Sequence, residues 1–369
     1  MTGMAKDPAT QSPDIDKPSL LHSSDRFASL NIVICDPDHN VAVLVRNILA
    51  TLGFNRMFIV HDGDEVLELM REEKLDFVVT DWDMERFSGI DLIYHLRKSL
   101  ESPNRMIPII MLTARNARKD IQSARDAGIT EYIIKPFTAK TLLERIYEIV
   151  KEPRGFIICK SYIGPDRRRV SSMELPPDPD EHHNFQERKP ALIVDKEVLQ
   201  QVLMDDTPRM IMPDYSIKKK VGYEVPDILL INPLALANSE QEIKNVQDEF
   251  MVMMLQDVET LQKSFSALTA STDNAKQLLS AIQDASFSIK SRAGIFGYVR
   301  ATEVAGQLHN FCRRYYDKDN PDHLVILEKH IQTIAAIFNQ KITGDGGEVG
   351  RALIIDLARL INKYMKKPA

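Results

Sequence analysis

Three cysteines, one tryptophan and no long apolar run in 369 residues are the first features of this chain. Cys35, Cys159 and Cys312 are odd in number, far apart and without metal-ligand spacing, which argues against a disulfide framework or a zinc site and suits a reducing compartment. No apolar stretch approaches the roughly 20 residues that span a bilayer, and the N-terminus has no basic region followed by an apolar run. A soluble, cytoplasmic protein is therefore expected. Excess positive charge is missing too: a net charge of −6 and a pI near 5.9 weigh against a general nucleic-acid binder. Nor is there a His, Ser or Cys catalytic constellation, a winged-helix signature or an output-enzyme motif, so a dedicated enzymatic output is not expected.

The chain does have enough apolar material, 44% of its residues, for two domains with cores of their own. Residues 1–29 are rich in Pro, Ser, Thr and Asp without an apolar period and read as a flexible tail. From Asn31 to about residue 150, strand and helix alternate regularly, which implies right-handed βαβ crossovers and a parallel sheet. The strand Phe77-Val-Val-Thr80 ends on Asp81, and the carboxyl edge of such a sheet is where ligands gather. The neighbouring strands deliver Asp36 and Asp38, then Thr113 and Ala114, then Lys135-Pro136-Phe137. Carboxylates, a hydroxyl and a lysine on one rim suit phosphoryl transfer. Asp81 would be the nucleophile and, with Asp36, Asp38 and Asp83, would hold Mg²⁺, and Thr113 and Lys135 would bind phosphoryl oxygens.

In these residues the chain resembles the receiver domain of two-component response regulators, especially the chemotaxis type, over about residues 30–152. Asp81-Trp82-Asp83-Met84, Gly89, Thr113-Ala114 and Lys135-Pro136-Phe137 carry the resemblance, in the family's order and spacing. It implies a flavodoxin-like five-stranded fold, phosphorylation of Asp81 by a histidine kinase, and a switch pair at Thr113 and Tyr132. Two departures stand out. Pro37 follows Asp36 where the family usually has a second acid, leaving metal binding to Asp36, Asp38 or both, and Glu85 replaces a common proline.

Beyond it, residues 153–190 are turn-rich and charged and read as a linker, continued to 238 by short apolar runs that dock on a neighbour. Arg167, Arg168 and Arg169 could grip a phosphate or a cyclic dinucleotide, but a solvated charge run, or one gripping an acidic partner, is the plainer reading, as it is for Lys218-Lys-Lys220. Residues 239–369 carry five helical periods, about 240–268, 274–294, 299–316, 321–342 and 348–366, and suggest an all-α bundle. Here Lys290-Ser-Arg-Ala293, Phe296-Gly297 and Leu308 resemble histidine phosphotransfer domains over about 25 residues. That family's phosphorylated histidine stands three residues before the lysine, and this chain has Phe287 there. The resemblance therefore implies a bundle that binds without transferring. On the helix Phe287 falls on a polar face, so Phe287 and Lys290 are candidate protein-binding residues, unless Phe287 packs beneath another helix. Two rival readings remain open: a phosphotransfer protein using a bundle histidine such as His309, and a DNA-binding regulator using the arginine and lysine runs.

Overall fold

The computed structural model describes residues 27–167, 208–211, 216–221, 233–270, 274–317 and 319–365, with residues 200 and 204 besides. Its first unit is an open sheet of β1 (Asn31–Cys35), β2 (Arg56–Val60), β3 (Phe77–Thr80), β4 (Ile109–Thr113) and β5 (Glu131–Ile134), in the order β2-β1-β3-β4-β5 and parallel throughout. β1, β3 and β4 are buried along their whole length, as near-continuous Val, Ile and Leu runs dictate for a sheet covered on both faces.

Helices α1 (His39–Thr51) and α5 (Ala139–Lys151) cover one face, while α2 (Gly63–Glu72), α3 (Gly89–Lys98) and α4 (Arg118–Ala127) cover the other. This is the flavodoxin-like arrangement, and the order reverses between β1 and β3, which sets the ends of those two strands beside a crevice. Phe27 stacks on Phe54 in the core, so the unit begins before residue 30; residues 1–26, the rest of the expected flexible tail, lie outside the described ones.

The expected linker is also partly structured. β6 (Phe156–Ile158) and β7 (Ile163–Pro165) form a hairpin, and β8 (Arg209–Ile211) pairs antiparallel with β6. The hairpin seats against the loop after α4 through glycine: Gly128 has φ +97°, and a Cβ on it would lie 2.4 Å from the Ile163 carbonyl oxygen. Arg97 is fully buried beside it, donating to the carbonyls of Gly128, Arg105 and Ile107 and lying over the Phe156 ring. Burial pulls its guanidinium down to about 9, against the opposing influence of Tyr162. The short α6 (Ser216–Val221) docks Val221 into the core and Lys220 onto Asp76, so of that lysine run Lys220 grips an acidic partner within the chain.

The helical region comprises α7 (Pro233–Ala270), α8 (Ala275–Ala293), a 3₁₀ turn (Gly294–Phe296), α9 (Val299–Arg314), α10 (Pro321–Asn339) and α11 (Gly347–Met365). α7 packs on α8, α8 on α9, α9 on α10 and α10 back on α7, closing a four-helix ring, with α11 added against α10. A single apolar stripe runs along α7 at helical spacing. Leu236, Ile243, Val246 and Phe250 lie in the core shared with α1 and α5, while Met254, Val258, Leu261, Phe265 and Leu268 fill the bundle. Among the described residues, no helix is long and apolar enough to cross a membrane.

Candidate functional site

The three strand ends converge as the alternation implied. Lys135, the residue after β5 and fully buried, places its Nζ 2.6 Å from Asp81 Oδ2 and 3.2 Å from Asp36 Oδ2. Asp81 Oδ1 accepts from the backbone N–H groups of Trp82 at 2.5 Å and Asp83 at 3.1 Å, which fixes the carboxylate plane. Burial alone would discharge the ammonium, but Asp36 and Asp81 outweigh it and hold Lys135 charged beyond its ordinary range. Asp36 pays the opposite cost: burial, with Asp81 beside it, pushes its carboxyl up to about 7 despite Lys135.

Gly89 begins α3 under this loop, where a Cβ would stand 2.0 Å from the Asp81 carbonyl oxygen. Only glycine lets the helix start so close to the acidic residue's backbone. Thr113 is buried and its hydroxyl accepts from the Arg115 N–H, while the Tyr132 hydroxyl donates to the Arg115 carbonyl at 2.8 Å. Burial raises the Tyr132 phenol, which stays protonated as that donor.

The remaining acids of the rim face cations from elsewhere in the chain. Asp83 accepts both arms of a fork from Arg115, Nε at 3.1 Å and Nη2 at 2.6 Å, and Arg115 in turn lies over the Trp82 ring. Lys290 of α8 reaches the same Asp83 with Nζ 3.1 Å from Oδ1. Burial would raise the Asp83 carboxyl, yet Arg115 and Lys290 together keep it below its usual value. Asp38 caps α1, its Oδ1 accepting from the Asn40 and Val41 N–H groups, and gives its Oδ2 to Arg292 Nε at 2.5 Å. Arg292 also holds Asp257 of α7 at 3.2 Å, and burial lifts that carboxyl to about 6 against the arginine's pull. Lys290 and Arg292 stand about 200° apart around α8, so their long side chains reach opposite rims of one acidic pocket. One turn further on, Gly294 sits over the ends of β4 and β5: a Cβ there would lie 3.1 Å from the Ala114 Cβ and 3.5 Å from the Lys135 Cβ.

This arrangement does not fit Mg²⁺ in the way the sequence suggested. The donors are hard oxygens of the right kind, but among the described residues no three acids, histidines or cysteines gather as a metal site. Asp36 and Asp81 turn to Lys135, Asp38 to its helix and Arg292, and Asp83 to Arg115 and Lys290.

Phe287 is half-buried. Its ring lies 5.1 Å from that of His309 on α9, with Lys290 Nζ 5.7 Å from its centroid. His309, His323 and His330 are all buried, and burial lowers the proton affinity of His309 and His330. Arg167 pairs with Asp126 and lies over Tyr162, while Arg168 and Arg169 are outside the described residues. The sequence reading missed Arg115, Asp257, Arg292 and Gly294. Arg292 and Gly294 lie in or beside the motif that was noticed for Lys290; nothing local marked the other two.

The family model for the response regulator receiver domain matches residues 32–147. The chemotaxis protein CheY-3 of Vibrio cholerae serotype O1 is 39% identical over 121 residues, which span 33% of this chain and 92% of that protein. The chemotaxis protein CheY of Pseudomonas aeruginosa is 34% identical over 126 residues, 34% of this chain and 100% of its own length. Among solved structures, the chemotaxis response regulator CheY4 of Vibrio cholerae aligns over 32% of this chain and 98% of its own at 23% identity, with a TM-score of 0.30.

Proposed function

Because the chain belongs to the response regulator receiver family through residues 32–147, and is thus a response regulator of two-component signalling, we propose that Asp81 is its phosphoacceptor and that the helical region is a protein-binding output. A histidine kinase is the donor in this reading. One observation supports it above the others: a fully buried lysine spans the carboxylates of Asp81 and Asp36 at the crevice between β1 and β3. A cation kept charged there has no packing use that leucine would not serve better, whereas it can hold a phosphoryl oxygen after transfer.

The chemistry follows from the side chains. A carboxylate oxygen of Asp81 attacks the phosphorus of a phosphohistidine and forms an acyl phosphate. The phosphorus–nitrogen bond breaks, and its electron pair leaves on the imidazole. Lys135 moves from carboxylate to phosphoryl oxygen, and Thr113 and Tyr132 lie in the part of the sheet edge that answers the added charge. Mg²⁺ belongs to this reading as the dication of a receiver freed from the bundle, with Asp36, Asp38, Asp81 and Asp83 as candidate ligands. No step runs through it in the docked arrangement. The bundle, with Phe287 in place of a phosphorylatable histidine, binds and does not relay; Phe287 and Lys290 are its candidate contacts.

The test is phosphate incorporation from acetyl phosphate or a phosphorylated kinase. Wild-type protein should take up a label that alkali releases, and Asp81→Asn should take up none. Wild-type stoichiometry in Asp81→Asn would overturn the assignment.

A further inference from the structure

We infer that Lys290 and Arg292 are an internal counterion for the receiver's acidic pocket, so that docking of the bundle and loading of a divalent cation exclude one another. The inference rests on the reading of this pocket as the receiver site, and goes beyond it in assigning α8 as the pocket's ligand within the same chain.

Charge makes the first part of the argument. Asp36, Asp38, Asp81 and Asp83 stand at one sheet edge, and each is matched by a cation: Lys135 for Asp36 and Asp81, Arg115 and Lys290 for Asp83, Arg292 for Asp38. Two of these cations belong to the receiver and two arrive on α8, more than 200 residues away in the chain. Carboxylates crowded this closely repel unless a positive charge lies among them, and either a dication or the pair from α8 meets that need. Both cannot, since Asp38 Oδ2 and Asp83 Oδ1 would have to serve two cations in the same space.

Shape makes the second part. Gly294 leaves only van der Waals room above Ala114 and Lys135, and Asp81 is 7% exposed. Ile295, next in the chain, is buried in the receiver's core cluster with Phe250. An imidazole carrying a phosphoryl group has no approach to Asp81 past this turn. The docked chain is thus closed to the donor as well as to the metal. Asp257 holds Arg292 on its far side, which keeps the guanidinium aimed along the rim.

The experiment titrates Mg²⁺ alone into the full chain by calorimetry and follows overall size by small-angle X-ray scattering, with no phosphodonor present. Saturating Mg²⁺ should expand the wild-type particle. Lys290→Gln/Arg292→Gln should bind Mg²⁺ about tenfold more tightly if roughly nine chains in ten are docked, because apparent affinity scales with the competent fraction. Gly294→Val keeps both cations but wedges the turn away from Ala114, and should tighten Mg²⁺ binding in the same direction. Unchanged Mg²⁺ affinity in both variants, or a wild-type particle that stays compact with Mg²⁺ bound, would overturn the inference. Acetyl phosphate labelling, run separately, reads Asp81: loss of that assignment would leave the competition at Asp38 and Asp83 standing, and loss of the competition would leave Asp81 labelling unchanged.

Discussion

Ile295 is the residue whose truncation should separate docking from folding. It follows the bundle's α8, yet its side chain is 4% exposed in the cluster that includes Phe250 and the apolar residues of α1 and α5. Ile295→Ala removes three carbons, or about 2.4 kcal/mol at ~0.8 kcal/mol per buried methylene. A cavity that does not collapse raises the loss toward ~4 kcal/mol. Because the lost contacts lie with the receiver, the cost falls on the docking equilibrium. At ~1.4 kcal/mol per decade it weakens docking by roughly 50- to 700-fold. Scattering of the full-length variant should therefore show an expanded particle without Mg²⁺. In a thermal melt, Trp82 fluorescence, which reports the receiver, and far-UV circular dichroism, dominated by the helices, should part into two transitions where the wild type has one. If the variant stays compact and only the helical transition falls, Ile295 belongs to the bundle's own core and the reasoning fails.

Phe287→Ala should cost the bundle about 1–2 kcal/mol, the scale of one aromatic contact with His309 plus partial burial, and less than the ~3–5 kcal/mol of a fully buried phenylalanine. A larger effect on docking than on melting temperature would instead make the ring a direct contact. Bundle stability should also fall as pH drops below 6.5, the ordinary histidine value, because burial lowers His330 while the unfolded chain still takes up the proton there. The contribution is complete above 6.5 and is lost as pH falls toward the depressed folded value. His330→Leu should flatten the melting temperature's dependence on pH in that window, and an unchanged slope would exclude His330 as its source.

Much of the receiver was legible because its signals are local. Phe77-Val-Val-Thr80 reads as a buried strand from four adjacent residues, and Asp81 and Lys135 then fall at the crevice by the rule for open parallel sheets. The five bundle helices followed from periodicity, with ends displaced by a few residues and α7 beginning at Pro233. What could not be read depends on distant pairs. The hairpin at Phe156–Ile158 and Ile163–Pro165 rests on a Gly128 contact and on Arg97, whose burial no neighbouring residue announces. Asp38 reads as a candidate metal ligand from its place after β1. That it caps α1 is local, but that its other oxygen faces Arg292, 254 residues on, is a fact of tertiary packing. Phe27 on Phe54 went unread for the same reason, since a polar segment carries no mark of the aromatic that will stack in a core, and nothing beside Lys220 names Asp76 as the acid it grips.

The length of α7 gives the molecule a mechanical character. Its 38 residues make a rod of about 57 Å at ~1.5 Å per residue, and after Pro233 it contains neither proline nor glycine. One half is glued to α1 and α5 by the stripe ending at Phe250, and the other is a stave of the four-helix ring. A rod without a joint cannot let the ring tip away at Asp81 while its own near half stays flat on α1. Lifting the cations from the pocket therefore either prises Leu236, Ile243 and Val246 off the receiver or shears the ring along the stave. Either way a chemical change at the sheet edge becomes leverage on an apolar surface that the docked chain keeps covered.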